Sequence, residues 1–395
     1  MRPPDRRVGV DATCWNLQRG FGRHARCLLT ALVQVDRRHR YVFFVDAPDV
    51  AGELPAGAEV RIVPAASPTI VSASARGHRR FRDILRMSRA LSSEDLDILF
   101  FPTLYSYVPT YGRARRFIVL HDATAEMYPA MTLGGWRNRV LWRAKTALCR
   151  WQADVLLTVS DYSRRAIAER IGVAPQAMHV VGEASASVFR VLDRPVPTRR
   201  LVEAGFDPLR RSIVYVGGFS PHKNLGSLVR VVARLGSRPE FADVRLFLVG
   251  DHEQEVFVSG YRELARLVNE LGLGDRVVFT GYLPDDDLVV LLNLATVLAL
   301  PSLTEGFGLP ALEAAACGCA VVATTESPLP GVLGEGGRFV HPRDEPALEH
   351  ALADVLRSPD VRRRMRDAGL RATRGLSWQA AASQLATLFE NGAAP

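Results

Sequence analysis

PSLTEGFGLPALEAAACGCAVVAT, residues 301–324, contains a complete structural unit. One apolar run, Val297–Leu300, leads into it and another, Ala320–Ala323, closes it. Pro310 suits the first helical position and Gly318 the C-terminal stop, so the spacing predicts a helix of about eight residues between two strands. A strand, loop, short helix and strand in this order is the repeating unit of a parallel α/β sheet. Gly306 and Gly308 precede the helix, and their missing side chains let backbone N–H groups approach a ligand. A glycine loop at a helix N-terminus suits an anion such as phosphate. Two carboxylates complicate that picture, Glu305 in the loop and Glu313 in the helix's first turn. Carboxylates repel a phosphate, but they fit if each accepts hydrogen bonds from hydroxyls, as a sugar and a ribose flanking a diphosphate would offer. Taken alone, the residues also allow a plainer reading: Glu313 complements the helix dipole and Glu305 faces water.

Moving outward, short apolar runs alternate with helix-period segments along most of the chain. Strands are predicted at Val8–Val10, Tyr41–Val45, Val60–Val63, Ile98–Phe101, Phe117–Leu120 and Val155–Val159 in the first half. In the second half they are predicted at Ile213–Val216, Arg245–Val249, Val277–Thr280, Val297–Leu300, Ala320–Ala323 and Gly337–Val340. Helices are predicted at Gly22–Val35, Leu225–Leu235, Glu263–Leu271 and Pro346–Arg357. The expectation is an α/β chain of two Rossmann-like domains facing each other across a cleft, where ligands of open sheets bind. Residues 1–190 form the first domain, the proline-bearing stretch 191–208 a linker, and 209–376 the second domain.

The chain has 395 residues and a formal net charge of +8, but the charge is uneven. Residues 1–200 hold 31 Lys+Arg against 18 Asp+Glu, and residues 201–395 hold 19 against 24, which suggests different partners for the two halves. No apolar run reaches the length of a spanning helix. The N-terminal residues lack a signal-peptide core, and the cysteines do not form a disulfide framework, so a cytoplasmic protein is expected. Cys317 and Cys319 read as small buried thiols. Lys145 and Lys223 are the only lysines among the basic residues, which makes each worth following. Asp285, Asp286 and Asp287 read as an N-cap and first helical turn, not a metal site, and no metal or other cofactor is expected.

The segment Glu305-Gly-Phe-Gly-Leu-Pro-Ala-Leu-Glu313 resembles the E-x7-E motif of family 4 retaining glycosyltransferases, which have the GT-B fold. Further stretches extend the resemblance in the family's order. Gly20-Phe-Gly22-Arg23 is similar to its N-terminal glycine loop, His121-Asp122 to its first-domain histidine, and Gly217-Gly218 through Lys223 to its phosphate-binding loop and lysine. Gly250-Asp251 and Gly281-Tyr282 fall where the family has its next two strand ends. The resemblance implies Glu305, His121 and Lys223 as catalytic residues. Glu305 would contact the donor sugar, Glu313 the ribose, backbone N–H groups of Gly306, Phe307, Gly308 and Leu309 the sugar and phosphate, and Lys223 the diphosphate. Gly20, Gly22, Gly217, Gly218, Gly250, Gly281 and Tyr282 complete the implied donor site. It implies a C-terminal helix, residues 377–395, that packs back on the first domain.

By the same resemblance the reaction transfers a hexose from a nucleotide diphosphate sugar to a hydroxyl of a glycan, lipid-linked or small-molecule acceptor, with retained configuration, without a metal and without an accepted enzyme nucleophile. The first-domain pattern Val8-Gly-Val-Asp11, Gly20–Arg23 and Tyr41–Phe44 most resembles mannosyltransferases of bacterial polysaccharide assembly, which makes GDP-mannose the first donor expected. Gly218 stands where the family commonly has an arginine; His222 and Arg23 are candidates to replace that cation. Gly182-Glu183-Ala184 stands where Pro-Asn-Gly is frequent. These departures keep open a non-catalytic nucleotide-sugar-binding or scaffolding protein. In the basic half, Arg79, Arg82, Arg86 and Arg89 fall on one face of a predicted helix over residues 75–91. That face suits an anionic membrane or acceptor, as for a lipid-linked glycan, and peripheral association with the inner face of the plasma membrane is expected. No nucleic-acid module is visible.

Overall fold

The computed structural model describes residues 6–17, 20–66, 80–251 and 258–391. The chain divides into two compact units: unit 1 is Met1–Glu183 with Ser377–Pro395, and unit 2 is Ala184–Leu376.

Unit 1 is built on β1 (Arg7–Asp11), β2 (Arg40–Val45), β3 (Glu59–Ile62), β4 (Ile98–Phe101), β5 (Arg115–Val119), β6 (Val155–Thr158) and β7 (Met178–Val180). These are parallel, in the order β3-β2-β1-β4-β5-β6-β7. Strands β4 and β6 are buried along their whole length, the continuous apolar pattern expected when helices cover both faces. Alternate side chains serve opposite faces. On one face Phe100 and Phe117 meet Phe389 of the C-terminal helix Trp378–Asn391, with ring centroids 5.7 and 5.0 Å apart. That helix packs on the helix Gly20–Val35. On the other face Leu99, Phe101 and Ile118 join Met87 and Leu91 of the helix Phe81–Ser93 and Cys149 of the helix Trp136–Gln152 in one core cluster.

Unit 2 holds β8 (Ser212–Val216), β9 (Arg245–Val249), β10 (Val277–Gly281), β11 (Val297–Leu300), β12 (Ala320–Thr324) and β13 (Gly337–Val340). They too are parallel, in the order β10-β9-β8-β11-β12-β13. This is the 3-2-1-4-5-6 order of dinucleotide-binding sheets, whose switch point lies between β8 and β11.

Several details differ from the sequence reading. Strand β7, three residues at the sheet edge, was not among the predicted strands. The first helix begins at Gly20, so Gly20 and Gly22 lie in its opening turn and not in a loop. A side chain at Gly22 would put its Cβ 1.8 Å from the Leu17 carbonyl oxygen, so close approach of the chain explains that glycine. The stretch expected as a linker is tied to unit 2. There Leu192 N–H donates to Asn293 (2.8 Å), Thr198 to Asp287 (2.5 Å), and Arg200 pairs with Asp287 (3.0 Å). Prolines remove its period, yet Leu201 is still buried, so the segment packs without a regular pattern. Pro284, not an aspartate, is the N-cap of the helix Asp285–Leu294, and the three aspartates fill its first turn. All five cysteines are free thiols; burial pushes that of Cys319 up to about 12. Among the described residues no helix is long and apolar enough to cross a membrane.

Candidate functional site

The loops after β8 and β11 flank the switch point of unit 2, and the sequence supplies them with lysine and glutamate. After β8 the chain passes Gly217 and Gly218, makes a tight turn over Pro221–Lys223, and enters the helix Leu225–Gly236. Asn224 sits at the junction with φ 56°, a conformation asparagine tolerates better than most residues. Its amide donates to the carbonyls of Pro301 (3.1 Å) and Pro342 (2.7 Å), and Leu303 N–H donates to the His222 carbonyl (2.8 Å). The turn bearing Lys223 is thereby knitted to the segment leaving β11.

That stitching brings Lys223 Nζ to 2.7 Å from Glu305 Oε1, although 82 positions separate the two residues in the sequence. Ser302 Oγ donates to the same carboxylate oxygen at 2.5 Å. Both charged groups are mostly shielded, so the pair is stronger than an exposed one. The family resemblance implies different partners for the two residues, a diphosphate and a sugar; the structure pairs them with each other. Beyond Glu305, Gly306 to Leu309 are buried, and the helix Leu309–Ala316 begins with Gly308 as its N-cap. Glu313 lies one turn into that helix and not in its first turn, and it is buried. At the far end Gly318 adopts φ 77°, and Cys319 N–H returns to the Ala314 carbonyl (2.9 Å), closing the helix with the expected glycine stop.

Gly308 has φ 91°, and a Cβ there would lie 2.8 Å from Leu329 Cδ1. Gly308→Ala is therefore expected to destabilise unit 2 by about 2 kcal/mol, combining left-handed strain with a clash. Urea unfolding monitored on the purified variant checks this; an unchanged midpoint would contradict it.

The remaining donor-side residues also sit at strand ends. Gly250 follows β9 and donates to the Gly281 carbonyl (3.0 Å), Gly281 ends β10, and Tyr282 next to it is exposed. Tyr215 O–H donates to the Gly218 carbonyl at 2.6 Å. His222 does not replace the cation that Gly218 lacks. It is buried against Ser220 (2.9 Å), and burial holds its pKa well below the ordinary value, so it is neutral. Asp287 is engaged by Thr198 and Arg200, in keeping with a structural role for the aspartate triplet.

In unit 1, His121 follows β5 and its Nε2–H donates to the Pro102 carbonyl (3.0 Å), which leaves Nδ1 as the ring's lone-pair nitrogen. Two residues that the sequence reading did not assign stand beside it. His24 meets the His121 ring edge-on, with centroids 4.6 Å apart, and Glu183 Oε1 lies 3.8 Å from His121 Nδ1. His24 Nδ1 and Glu183 Oε1 are 2.6 Å apart and buried, so one proton lies between them. Burial pulls the His24 pKa down to about 3 and pushes Glu183 up to about 7. Burial, and then His24, lower His121 to about 4. Among the described residues these three have donor atoms close enough together to hold a cation; the 2.6 Å contact is accounted for by the shared proton. Spacings of 97 and 62 residues hide such a cluster from any motif search. The only sequence signal was Glu183 itself, at a position where the resembled family often has asparagine.

The four arginines assigned to an acceptor or membrane do not all fall in view. Arg79 lies outside the described residues. Arg82, Arg86 and Arg89 are exposed on the helix Phe81–Ser93, with Phe81 and Leu85 exposed beside them. The second lysine, Lys145, donates to the Tyr105 carbonyl (2.8 Å), an internal brace of unit 1.

Comparison with known proteins adds family evidence to this geometry. The family described as Glycosyl transferases group 1 matches residues 202–371, and Glycosyltransferase Family 4 matches residues 19–183. An MMP alpha-(1->4)-mannosyltransferase of Mycolicibacterium hassiacum is 35% identical over 287 residues, covering 70% of this chain and 65% of the relative. The serotype-specific mannosyltransferase WbdA of Escherichia coli is 26% identical over 66% of this chain and 31% of its own length. The matches thus span just under two thirds of the first relative and under a third of the second. Among solved structures, a sucrose-phosphate synthase from Thermosynechococcus elongatus superposes with TM-score 0.75 at 20% identity, covering 98% of both chains. HepE from Anabaena, solved with UDP and glucose, gives 0.71 at 16% identity over 98% of this chain and 100% of its own. These likenesses assign the GT-B fold.

Proposed function

The chain belongs to the glycosyltransferase group 1 and family 4 enzymes, and from that premise we infer that it transfers a mannosyl residue from GDP-mannose to an acceptor hydroxyl, with retained configuration. The acceptor is a glycan or a lipid-linked glycan at the inner face of the plasma membrane. The observation that carries this reading is the Lys223–Glu305 pair at the switch point of a dinucleotide-type sheet. Donor binding gives Lys223 the diphosphate in place of Glu305 and turns the Glu305 carboxylate toward the sugar hydroxyls. Glu313, one turn into the helix that follows, takes the ribose. Charge grows on the diphosphate as the glycosidic bond breaks, and a fixed ammonium in a shielded site stabilises it there. With His222 neutral, Lys223 carries that duty in unit 2. His121 is assigned to the donor sugar by the family resemblance. The departing phosphate accepts the acceptor's proton on the same face, so no enzyme carboxylate is cast as nucleophile. Mannose as the sugar is supported by the two mannosyltransferase relatives.

The test is a thermal-shift screen with GDP-, UDP-, ADP- and dTDP-sugars, each with and without EDTA. GDP-mannose at a hundred times its Kd is expected to stabilise the chain by about 2.7 kcal/mol. Transfer from it is expected to survive EDTA. Stabilisation by a UDP-sugar alone would overturn the donor. Loss of transfer in EDTA with recovery in magnesium would overturn the metal-independent mechanism.

A further inference from the structure

We propose that the outer face of the helix Trp136–Gln152 is the surface by which unit 1 lies on an anionic lipid bilayer. The inward side of this helix is narrow: Thr146 and Cys149 are its buried residues, and Cys149 belongs to the core cluster shared with the helix Phe81–Ser93. Trp142 packs inward against the same cluster and donates to Glu126 (2.7 Å), but the other large apolar side chains point the other way. Trp136 is 69% exposed, Val140 54%, Leu141 62% and Trp151 79%. Helical periodicity places Trp136, Val140, Ala144, Leu148 and Trp151 along one side, a stripe about 22 Å long with a tryptophan at each end. An exposed apolar stripe of this size marks an interaction surface.

Charge selects the occupant. The helix carries Arg137, Arg139, Arg143, Lys145 and Arg150 and no acidic residue. Lys145 and Arg150 are used within unit 1, on the carbonyls of Tyr105 and Ile171. Arg137 and Arg143 stand exposed among the apolar groups, and the Arg137 guanidinium lies 5.5 Å from the Trp136 ring centre. Tryptophan at the headgroup level, aliphatic side chains toward the acyl region and arginine on phosphate form the pattern of a helix lying in a membrane interface. A second copy of this chain docked face to face would set arginine against arginine. The neighbouring helix Phe81–Ser93 packs on the same side of the sheet and extends the patch with exposed Phe81, Arg82, Leu85, Arg86 and Arg89. Tyr111, itself exposed, links the two: its N–H donates to Ser92 (3.0 Å), and Thr110 before it exchanges hydrogen bonds with Gln152.

The inference rests on the membrane part of the reading above and not on glycosyl transfer. Co-sedimentation of the full chain with phosphatidylglycerol/phosphatidylcholine vesicles, against phosphatidylcholine alone, tests it. The wild-type chain is expected to prefer the anionic vesicles by at least about tenfold, and both W136S/W151S and R137E/R143E to lose about tenfold or more of that binding with unchanged melting temperatures. Turnover with a soluble acceptor, measured separately, is expected to be unchanged in both variants. No binding, or equal binding to both compositions, by the wild type would overturn the membrane reading itself. Wild-type-like binding by both variants would overturn this face alone. A wild-type dimer that W136S/W151S dissolves, without vesicle binding, would assign the face to a second copy of the chain.

Discussion

Lys223→Ala is expected to leave a folded chain whose transfer rate is lower by about a hundred- to a thousandfold, the cost of removing one fixed donor from developing charge. Glu305→Ala is expected to lose at least as much, and the two losses should differ in kind. If Lys223 meets the diphosphate, K223A weakens binding of the free nucleoside diphosphate as well as slowing transfer. If Glu305 meets only the sugar, E305A slows transfer and leaves nucleoside diphosphate binding near its wild-type value, or tightens it, because Lys223 loses its competing partner. Should the 2.7 Å pair be merely structural, both variants would melt lower by the same amount and bind the nucleotide equally. The stability cost of either is expected to be about 1–2 kcal/mol, since the pair is shielded but not deeply buried. Nucleotide titration calorimetry beside steady-state transfer separates the outcomes. Lys223→Arg is expected to recover nucleotide binding better than transfer, because a planar guanidinium keeps the charge but not the point geometry.

The fold was legible because most strands are short apolar runs, and several are closed by glycine, as at Gly217, Gly250 and Gly281. Twelve such runs were predicted, and each overlaps a strand. The exception, Met178–Val180, is too short to show a period, and only Met178 is buried, in the core cluster of unit 1. In unit 2 the site was legible at the level of residue types, because glycine spacing, Pro310 and Gly318 leave little freedom in residues 301–324. What the sequence could not convey is pairing across long separations. Lys223 and Glu305 meet only because β8 and β11 are neighbours in the sheet. His24 is one unmarked position of the helix predicted at Gly22–Val35, and Glu183 a replaced loop residue. Likewise, periodicity marks an apolar stripe but does not say which way it faces, so the exposed side of Trp136–Gln152 had no signature before the fold was known.

The His24–Glu183 pair carries the other large expected effect. Glu183→Ala leaves the buried His24 Nδ1 without its partner and opens a cavity, and it is expected to cost unit 1 about 3 kcal/mol, or about 5–10 °C in its melting temperature. Glu183→Gln keeps the shape and an acceptor for His24, so its cost is expected to be smaller, and it exposes the titration. Burial raises the Glu183 carboxyl from 4.5 to about 7. Between those values the folded chain holds a proton that the unfolded chain has released, so this group's stabilisation is complete below about pH 4.5 and is lost as pH rises through 7. The full span is worth about 3 kcal/mol. His24, lowered to about 3, and His121, lowered to about 4, act in the opposite sense. Their contribution is complete above about pH 6.5 and is lost as pH falls toward those values, and E183Q retains it. The informative quantity is therefore the stability of E183Q minus that of wild type. It is expected to rise by about 3 kcal/mol between pH 4.5 and pH 7, and to stay level above that. Denaturant unfolding of both proteins across this range measures it. A difference that does not change with pH would mean that Glu183 ionises as an ordinary carboxyl, and that the 2.6 Å contact is a plain ion pair and not a shared proton beside His121.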